Sequence, residues 1–229
     1  MKKNYFLTVI MLFLVSIGNI NAQAGYYNFA ASTGTFTPIT GGTALSAIVG
    51  DDVISDSTTI GFSFDFDGAT FTTFKASSNG FLSFGSGIAN HSFNSSSSGT
   101  SAKPFLAPMW DDLDGGVASS AAAYVVTGTA PNRVLTMEWL NYEMRYGSSV
   151  ANVSFQVKLY ETTNAIEYVY RDEMGALQSP SATIGIIGTT SYLTLNNSSA
   201  TPTASNSTFT QYISTPPGTG QIYTFSPPS

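Results

Sequence analysis

From residue 59 to 66 apolar and polar positions alternate one by one, with Ile60, Phe62, Phe64 and Phe66 set against Thr59, Gly61, Ser63 and Asp65. Period-two alternation predicts a strand with one buried face. Asp67-Gly68 is a hairpin signal, so 71–77 is expected to run back as the partner strand. Asn79-Gly80 marks another turn, followed by a short strand over 81–84. The second half repeats this grammar. Strands are predicted at 124–127 and 133–142, on either side of Thr129-Ala130-Pro131-Asn132, a turn with proline at a position suited to it. Over 153–160, Val153, Phe155, Val157 and Leu159 face one way and Ser154, Gln156, Lys158 and Tyr160 the other. A turn at Glu161-Thr162-Thr163-Asn164 leads to Ile166, Tyr168 and Tyr170, with further strands at 182–187 and 222–225. In the strand over 133–142, Leu135, Met137 and Trp139 share the core face, and parity puts Tyr142 on the opposite face with Glu138.

About ten short strands without helical crossovers predict an all-β fold, an antiparallel β-sandwich of jelly-roll-like form. Composition agrees. Charged residues are 10% of the chain and aromatics 13%, with 21 glycines, which suits turns and strands rather than long amphipathic helices. Two Ser/Asn/Thr-rich stretches, 90–101 and 196–207, are expected to be mobile surface loops, since neither carries enough apolar surface to order itself.

The first residues read as an export signal. Lys2 and Lys3 precede an apolar run over 5–17, and Ala22-Gln23-Ala24 supplies the small-x-small pattern of a cleavage site. Cleavage is expected after Ala24, with Ala22 as the second choice. The run is shorter than the roughly 20 residues a spanning helix needs, so no membrane insertion is expected after cleavage. The expected organisation is a signal peptide over 1–24, a single β-sandwich domain over 25–226 and the start of a linker or tail at 227–229. Such a chain is secreted or held at the cell surface. It has no cysteine, which excludes disulfide staples, thiol catalysis and zinc-thiolate sites. Its formal charge of −6 becomes more negative once Lys2 and Lys3 leave, so nucleic acid is excluded as a partner.

Four segments, in this order, resemble the extracellular domain first named in nidogen, the NIDO domain. They are Ala76-Ser77-Ser78-Asn79-Gly80-Phe81-Leu82-Ser83-Phe84-Gly85, Leu106-Ala107-Pro108-Met109-Trp110-Asp111-Asp112-Leu113-Asp114, Val134-Leu135-Thr136-Met137-Glu138-Trp139 and Val153-Ser154-Phe155-Gln156-Val157-Lys158-Leu159-Tyr160. The second segment is read as a turn. The whole chain is similar to the N-terminal module of large secreted bacterial proteins, in which such a domain precedes fibronectin type III repeats. The resemblance implies adhesion or matrix association and brings no catalytic residues.

The densest candidate site is the turn Trp110-Asp111-Asp112-Leu113-Asp114-Gly115-Gly116. Asp111, Asp112 and Asp114 repel one another unless solvated, hydrogen-bonded or neutralised, and an oxygen cluster of this kind suits Ca²⁺. The alternative is turn capping through backbone N–H groups. Asp51-Asp52 and Asp65-Phe66-Asp67-Gly68 are smaller versions of the same chemistry. Trp110, Tyr142 and Tyr146 are candidates for stacking on a ligand such as a sugar ring, with Trp139 assigned to the core. Glu138, Lys158 and Glu167 fall on the polar sides of successive strands and read as a charge ladder. A hydrolase reading would instead pair Glu138 with Glu143 or Glu167 as acid and base. A serine triad has no support, since His91 is the single histidine and lies in a Ser-rich stretch. The expected function is a noncatalytic, monomeric extracellular module that binds a glycan or a surface protein; the alternatives are a carbohydrate-active hydrolase and a structural spacer.

Overall fold

The structure is a computed structural model that describes residues 23–85, 102–177, 179 and 181–228; the export segment up to residue 22, the 90–101 stretch with His91, and Ser229 lie outside the described residues. Among the described residues the strands are β1 (Asn28–Thr33), β2 (Thr43–Ala44), β3 (Thr58–Phe66), β4 (Ala69–Ser77), β5 (Phe81–Ser83), β6 (Phe105–Trp110), β7 (Ala121–Thr127), β8 (Val134–Tyr142), β9 (Val153–Tyr160), β10 (Ile166–Asp172), β11 (Thr183–Ile187), β12 (Tyr192–Leu195), β13 (Ala204–Ser205) and β14 (Gln221–Ser226). They form two seven-stranded sheets, ordered β1-β14-β10-β9-β8-β7-β2 and β13-β12-β11-β6-β5-β4-β3. The pairings within both sheets are antiparallel. The fold is an all-β antiparallel sandwich, with fourteen strands among the described residues against an expectation of about ten.

The alternation seen at 59–66 does what the period predicts. Ile60, Phe62, Phe64 and Phe66 are buried and their neighbours are exposed. Asp67 and Gly68 both take positive φ, 52° and 79°, as a two-residue hairpin turn that matches strand twist requires, and Phe66 pairs with Ala69 across it. Between the sheets, Trp139 of β8 stacks on Phe155 of β9 with ring centres 5.0 Å apart.

Three aromatic donors of the first sheet reach across the core to backbone carbonyls of the second. Trp139 Nε1 donates to Ser77 O at 2.8 Å, Tyr168 Oη to Gly185 O at 2.8 Å and Tyr170 Oη to Pro108 O at 2.7 Å. A buried donor left unpaired would cost about 1–3 kcal/mol, so each bond fixes the sheets' relative position as well as packing them. In a chain without cysteine, these rings and the apolar interior hold the layers together.

Three readings change. The first is β6, which lies in the segment that the family resemblance reads as a turn. All six of its residues are buried, and the strand lies between β5 and β11. Leu106 and Met109 face the main core, while Phe105, Ala107 and Trp110 face a second apolar cluster on the outer side with Phe81, Ala102 and Ile187. A strand covered on both faces loses the alternation that identifies it. Pro108, which has no N–H to give, sits where the β6–β11 register shifts between Thr183 and Gly185. The second is the 196–207 stretch. It contains β13, which pairs with β12, and Asn206 Nδ2 donates to Gly25 O at 2.9 Å.

The third is Tyr142. The β8–β9 register shifts between Trp139 and Tyr142, with Asn141 at φ 56°. One extra residue reverses the face of everything beyond it. Tyr142 therefore points into the core and is fully buried.

Candidate functional site

At one end of the sandwich three loops come together. The loop over 50–53 follows a short 3-10 turn, Ser46–Ile48; the 111–116 segment follows β6; and the 143–149 segment follows β8. They are joined by backbone. Asp114 bridges to both Asp51 and Glu143, Asp114 and Glu143 exchange N–H···O bonds of 3.3 and 2.9 Å, and Gly115 N donates to Gly50 O at 3.2 Å. Tyr146 N donates to Asp112 O at 2.6 Å. Gly115 suits this contact: a Cβ there would lie 3.0 Å from both Gly50 N and the Tyr142 ring, tighter than ordinary van der Waals contact. Beneath the loops, Tyr142 Oη donates to Ile48 O at 2.7 Å, and burial pushes that phenol far above its ordinary pKa.

Carboxylate oxygens of Asp51, Asp52 and Asp112 lie within 4.8 Å of one another. Asp51 and Asp52 are exposed and Asp112 is half-buried. The carboxyl of Asp112 is pushed up to about 6, first by partial burial and then by Asp51, Asp52 and Asp111, with Arg145 opposing. Asp51 is raised by the same causes, burial first and then Asp52 and Asp114. Asp52 is held at φ 50° and its Oδ1 accepts from Asn79 Nδ2 at 2.8 Å. Three converging carboxylates favour a positive charge between them, a proton or a hard cation with oxygen preference.

This set differs from the consecutive trio Asp111, Asp112 and Asp114 expected from sequence. Asp112 alone is common to both. Asp111 is buried and engaged elsewhere, accepting from Ser181 N and Ser181 Oγ and from its own neighbour Asp112 N. Burial raises its pKa, and those donors pull it back. Asp114 is raised by burial and by Glu143, while the Gly116 N–H, which donates to its carboxylate, works against the rise. The three diverge because Asp111 is drawn to Ser181 and Asp114 lies against Glu143. The two partners that replace them come from some sixty residues upstream, where only the Asp51-Asp52 pair marked them.

The aromatic candidates also separate. Trp110 is 1% exposed and packs edge-on against Phe105 at 5.0 Å, so it offers no free face to a ligand. Tyr142 is buried by the register shift described above. Tyr146 is 57% exposed and stands beside Asp112 through the backbone bond already given. Val150, Met174 and Leu177 are exposed apolar side chains as well. The segments that carry them are joined by Arg145 Nη1 to Ser179 O at 3.0 Å, Asn152 Nδ2 to Ala176 O at 2.9 Å and Glu173 N to Asn152 O at 3.0 Å.

The three glutamates occupy separate settings. Glu138 is buried on the outer side of the first sheet, accepting from Ile39 N at 3.1 Å and Gln156 Nε2 at 2.6 Å; burial raises its pKa and these donors lower it. Glu143 is buried and caps Ser148 Oγ and Ser149 N at 3.0 and 2.8 Å. Glu167 pairs with Lys158 at 3.1 Å, the cross-strand rung expected from their register. Each carboxylate is satisfied by protein donors rather than presented to a cleft.

Among the described residues no helix is long and apolar enough to cross a membrane. The family model described as NIDO related matches residues 26–227. No curated protein and no solved structure matches the chain.

Proposed function

We infer, from the premise that the chain belongs to the NIDO-related family, that it is a noncatalytic extracellular binding or adhesion domain. Its contact surface is the end of the sandwich built from the 50–53, 111–116, 143–149 and 173–177 segments. One observation carries this reading: Asp51, Asp52 and Asp112 converge within 4.8 Å, and the exposed residue Tyr146 is tied to Asp112 by a backbone bond. Ca²⁺ is the cation that suits them, because it accepts six to eight oxygens in flexible geometry and leaves positions for ligand oxygens. The partner is a glycan or a surface protein. A sugar supplies both hydroxyl oxygens for the metal and a C–H face for Tyr146. The module acts as a secreted or surface-held monomer.

The hydrolase alternative needs two carboxylates facing one substrate across a cleft. The settings of Glu138, Glu143 and Glu167 give it no support.

The test is binding of the purified domain to an array of glycans and to immobilised extracellular proteins, in Ca²⁺ and in EDTA, with wild type and Asp112→Asn. Binding that is lost in EDTA and in the variant is the expected result. Binding indifferent to both would move the contact surface elsewhere. Hydrolysis of an array glycan, abolished in Glu138→Gln, would replace the binding reading with the enzymatic one.

A further inference from the structure

We infer that export processing cuts the bond between Ala22 and Gln23, so that the mature domain begins at Gln23 rather than at Gly25. The inference rests on the extracellular reading above, because it needs a leader to be removed. Local sequence favours the later cut, since Ala22-Gln23-Ala24 has small residues at both ends of the pattern and Ile20-Asn21-Ala22 only at the last. The fold favours the earlier one.

Ala24 is fully buried as part of the main core, within the 3-10 turn Ala24–Tyr26. Its N–H donates to Asp67 Oδ1 at 3.0 Å, at the tip of the β3–β4 hairpin. The other oxygen of Asp67 accepts from Thr189 N at 2.6 Å, between β11 and β12. One carboxylate thus joins the chain start to two turns of the second sheet. The turn itself closes through Gln23 O, which accepts from Tyr26 N at 3.0 Å, and Ala24 O, which accepts from Tyr27 N at 3.3 Å.

A cut after Ala24 deletes each of these groups. It removes a core methyl, the donor to Asp67 and both carbonyls of the turn. It also converts the buried Gly25 N–H, which donates to Ser191 Oγ at 3.0 Å, into a charged amine. Placing that charge in a buried position is unfavourable. A cut after Ala22 preserves them all and puts the new amine on Gln23, which is only half-buried. In the hydrolysis, water adds its hydroxyl to the Ala22 carbonyl carbon and its hydrogen to the Gln23 nitrogen as the amide bond breaks.

The experiment expresses the full chain with its leader in an exporting bacterial host and measures intact mass and the N-terminal peptide. The expected start is Gln23, either as such or one ammonia lighter where its α-amine has closed on the side-chain amide. An exported chain that begins at Gly25 overturns this inference and leaves the binding reading standing. A chain retained inside with its leader attached overturns both. Leaderless domains released to start at Gln23 or at Gly25 give a second measurement. The Gly25 start is expected to melt at least about 3 °C lower, and equal melting temperatures overturn the structural argument.

Discussion

The phenol of Tyr142 donates to the carbonyl of Ile48 at 2.7 Å, tying the end of β8 to the turn that leads into Asp51 and Asp52, 94 positions away in sequence. Asp114 makes the same connection on the surface, bridging Asp51 on one side and Glu143 on the other. The acidic cluster is therefore positioned from below by a buried hydroxyl and from the side by backbone. Tyr142→Phe keeps the ring and removes the bond, leaving Ile48 O without its donor. Stability is expected to fall by about 1–2 kcal/mol, and Ca²⁺ affinity to fall with it as the 50–53 loop loosens. Urea unfolding and calorimetric titration of the same variant read both effects. Unchanged calcium affinity would separate the buried bond from the site.

Metal binding should appear as stability. Extracellular calcium modules work with dissociation constants of about 10⁻⁴–10⁻³ M. With a constant of about 1 mM, roughly 10 mM Ca²⁺ adds about 1.4 kcal/mol, or some 3–5 °C in melting temperature for a chain of this size. Asp112→Asn should abolish the difference between Ca²⁺ and EDTA. Asp111→Asn should lower stability equally in both, because Asp111 serves Ser181 and lies outside the cluster. A calcium effect lost in Asp111→Asn and kept in Asp112→Asn would restore the ligand set read from consecutive aspartates.

Without metal, acid should stabilise the domain. Asp112 is pushed up to about 6 in the folded chain, against an ordinary value of about 3.9 when unfolded. Between those values the folded state binds more protons, so stability rises as pH falls through about 6 and the gain is complete near 4. Asp51, also raised, adds in the same direction. Solvent screening at the half-exposed Asp112 limits the gain to the order of 1 kcal/mol. Glu161, held below its ordinary range by Arg133, works the opposite way, but only once pH drops under the usual carboxylate range. The measurement is melting temperature from pH 7 to pH 5 in EDTA and in Ca²⁺. A rise is expected in EDTA, and a flat or falling curve in Ca²⁺, where protons compete with the metal. A falling curve in EDTA would remove the electrostatic account of the cluster.

Much of the sandwich is legible in the chain because most strands bury one face, and alternation records that. β3, β8 and β9 are placed to within a residue or two by their apolar periods. What escapes has physical reasons. β6 is covered on both faces and interrupted by Pro108, so it carries no period. β2 and β13 are two residues long and depend on their neighbours for existence. The shift at Asn141 has no signal beyond a residue type that tolerates positive φ, yet it moves Tyr142 from surface to core. The site was half-visible for a related reason. A run of aspartates announces acidity at 111–114, but which carboxylates converge is decided by the 50–53 loop, brought there through long-range contacts.

Tyr146 and Trp110 supply the sharpest contrast between binding and structure. Tyr146 is 57% exposed, and its backbone holds the loop through the bond to Asp112 O. Tyr146→Ala should therefore leave stability within about 0.5 kcal/mol of wild type while abolishing calcium-dependent binding to the arrayed ligand. Trp110 has the opposite character. It fills the outer cluster with Phe81 and Phe105, and Trp110→Ala should cost about 3–5 kcal/mol. Paired melting curves and array binding distinguish the two residues. Tyr146→Ala that binds like wild type would take the exposed ring out of the contact surface. A Trp110→Ala domain that melts like wild type and loses binding would return the indole to the ligand-contacting role assigned from sequence.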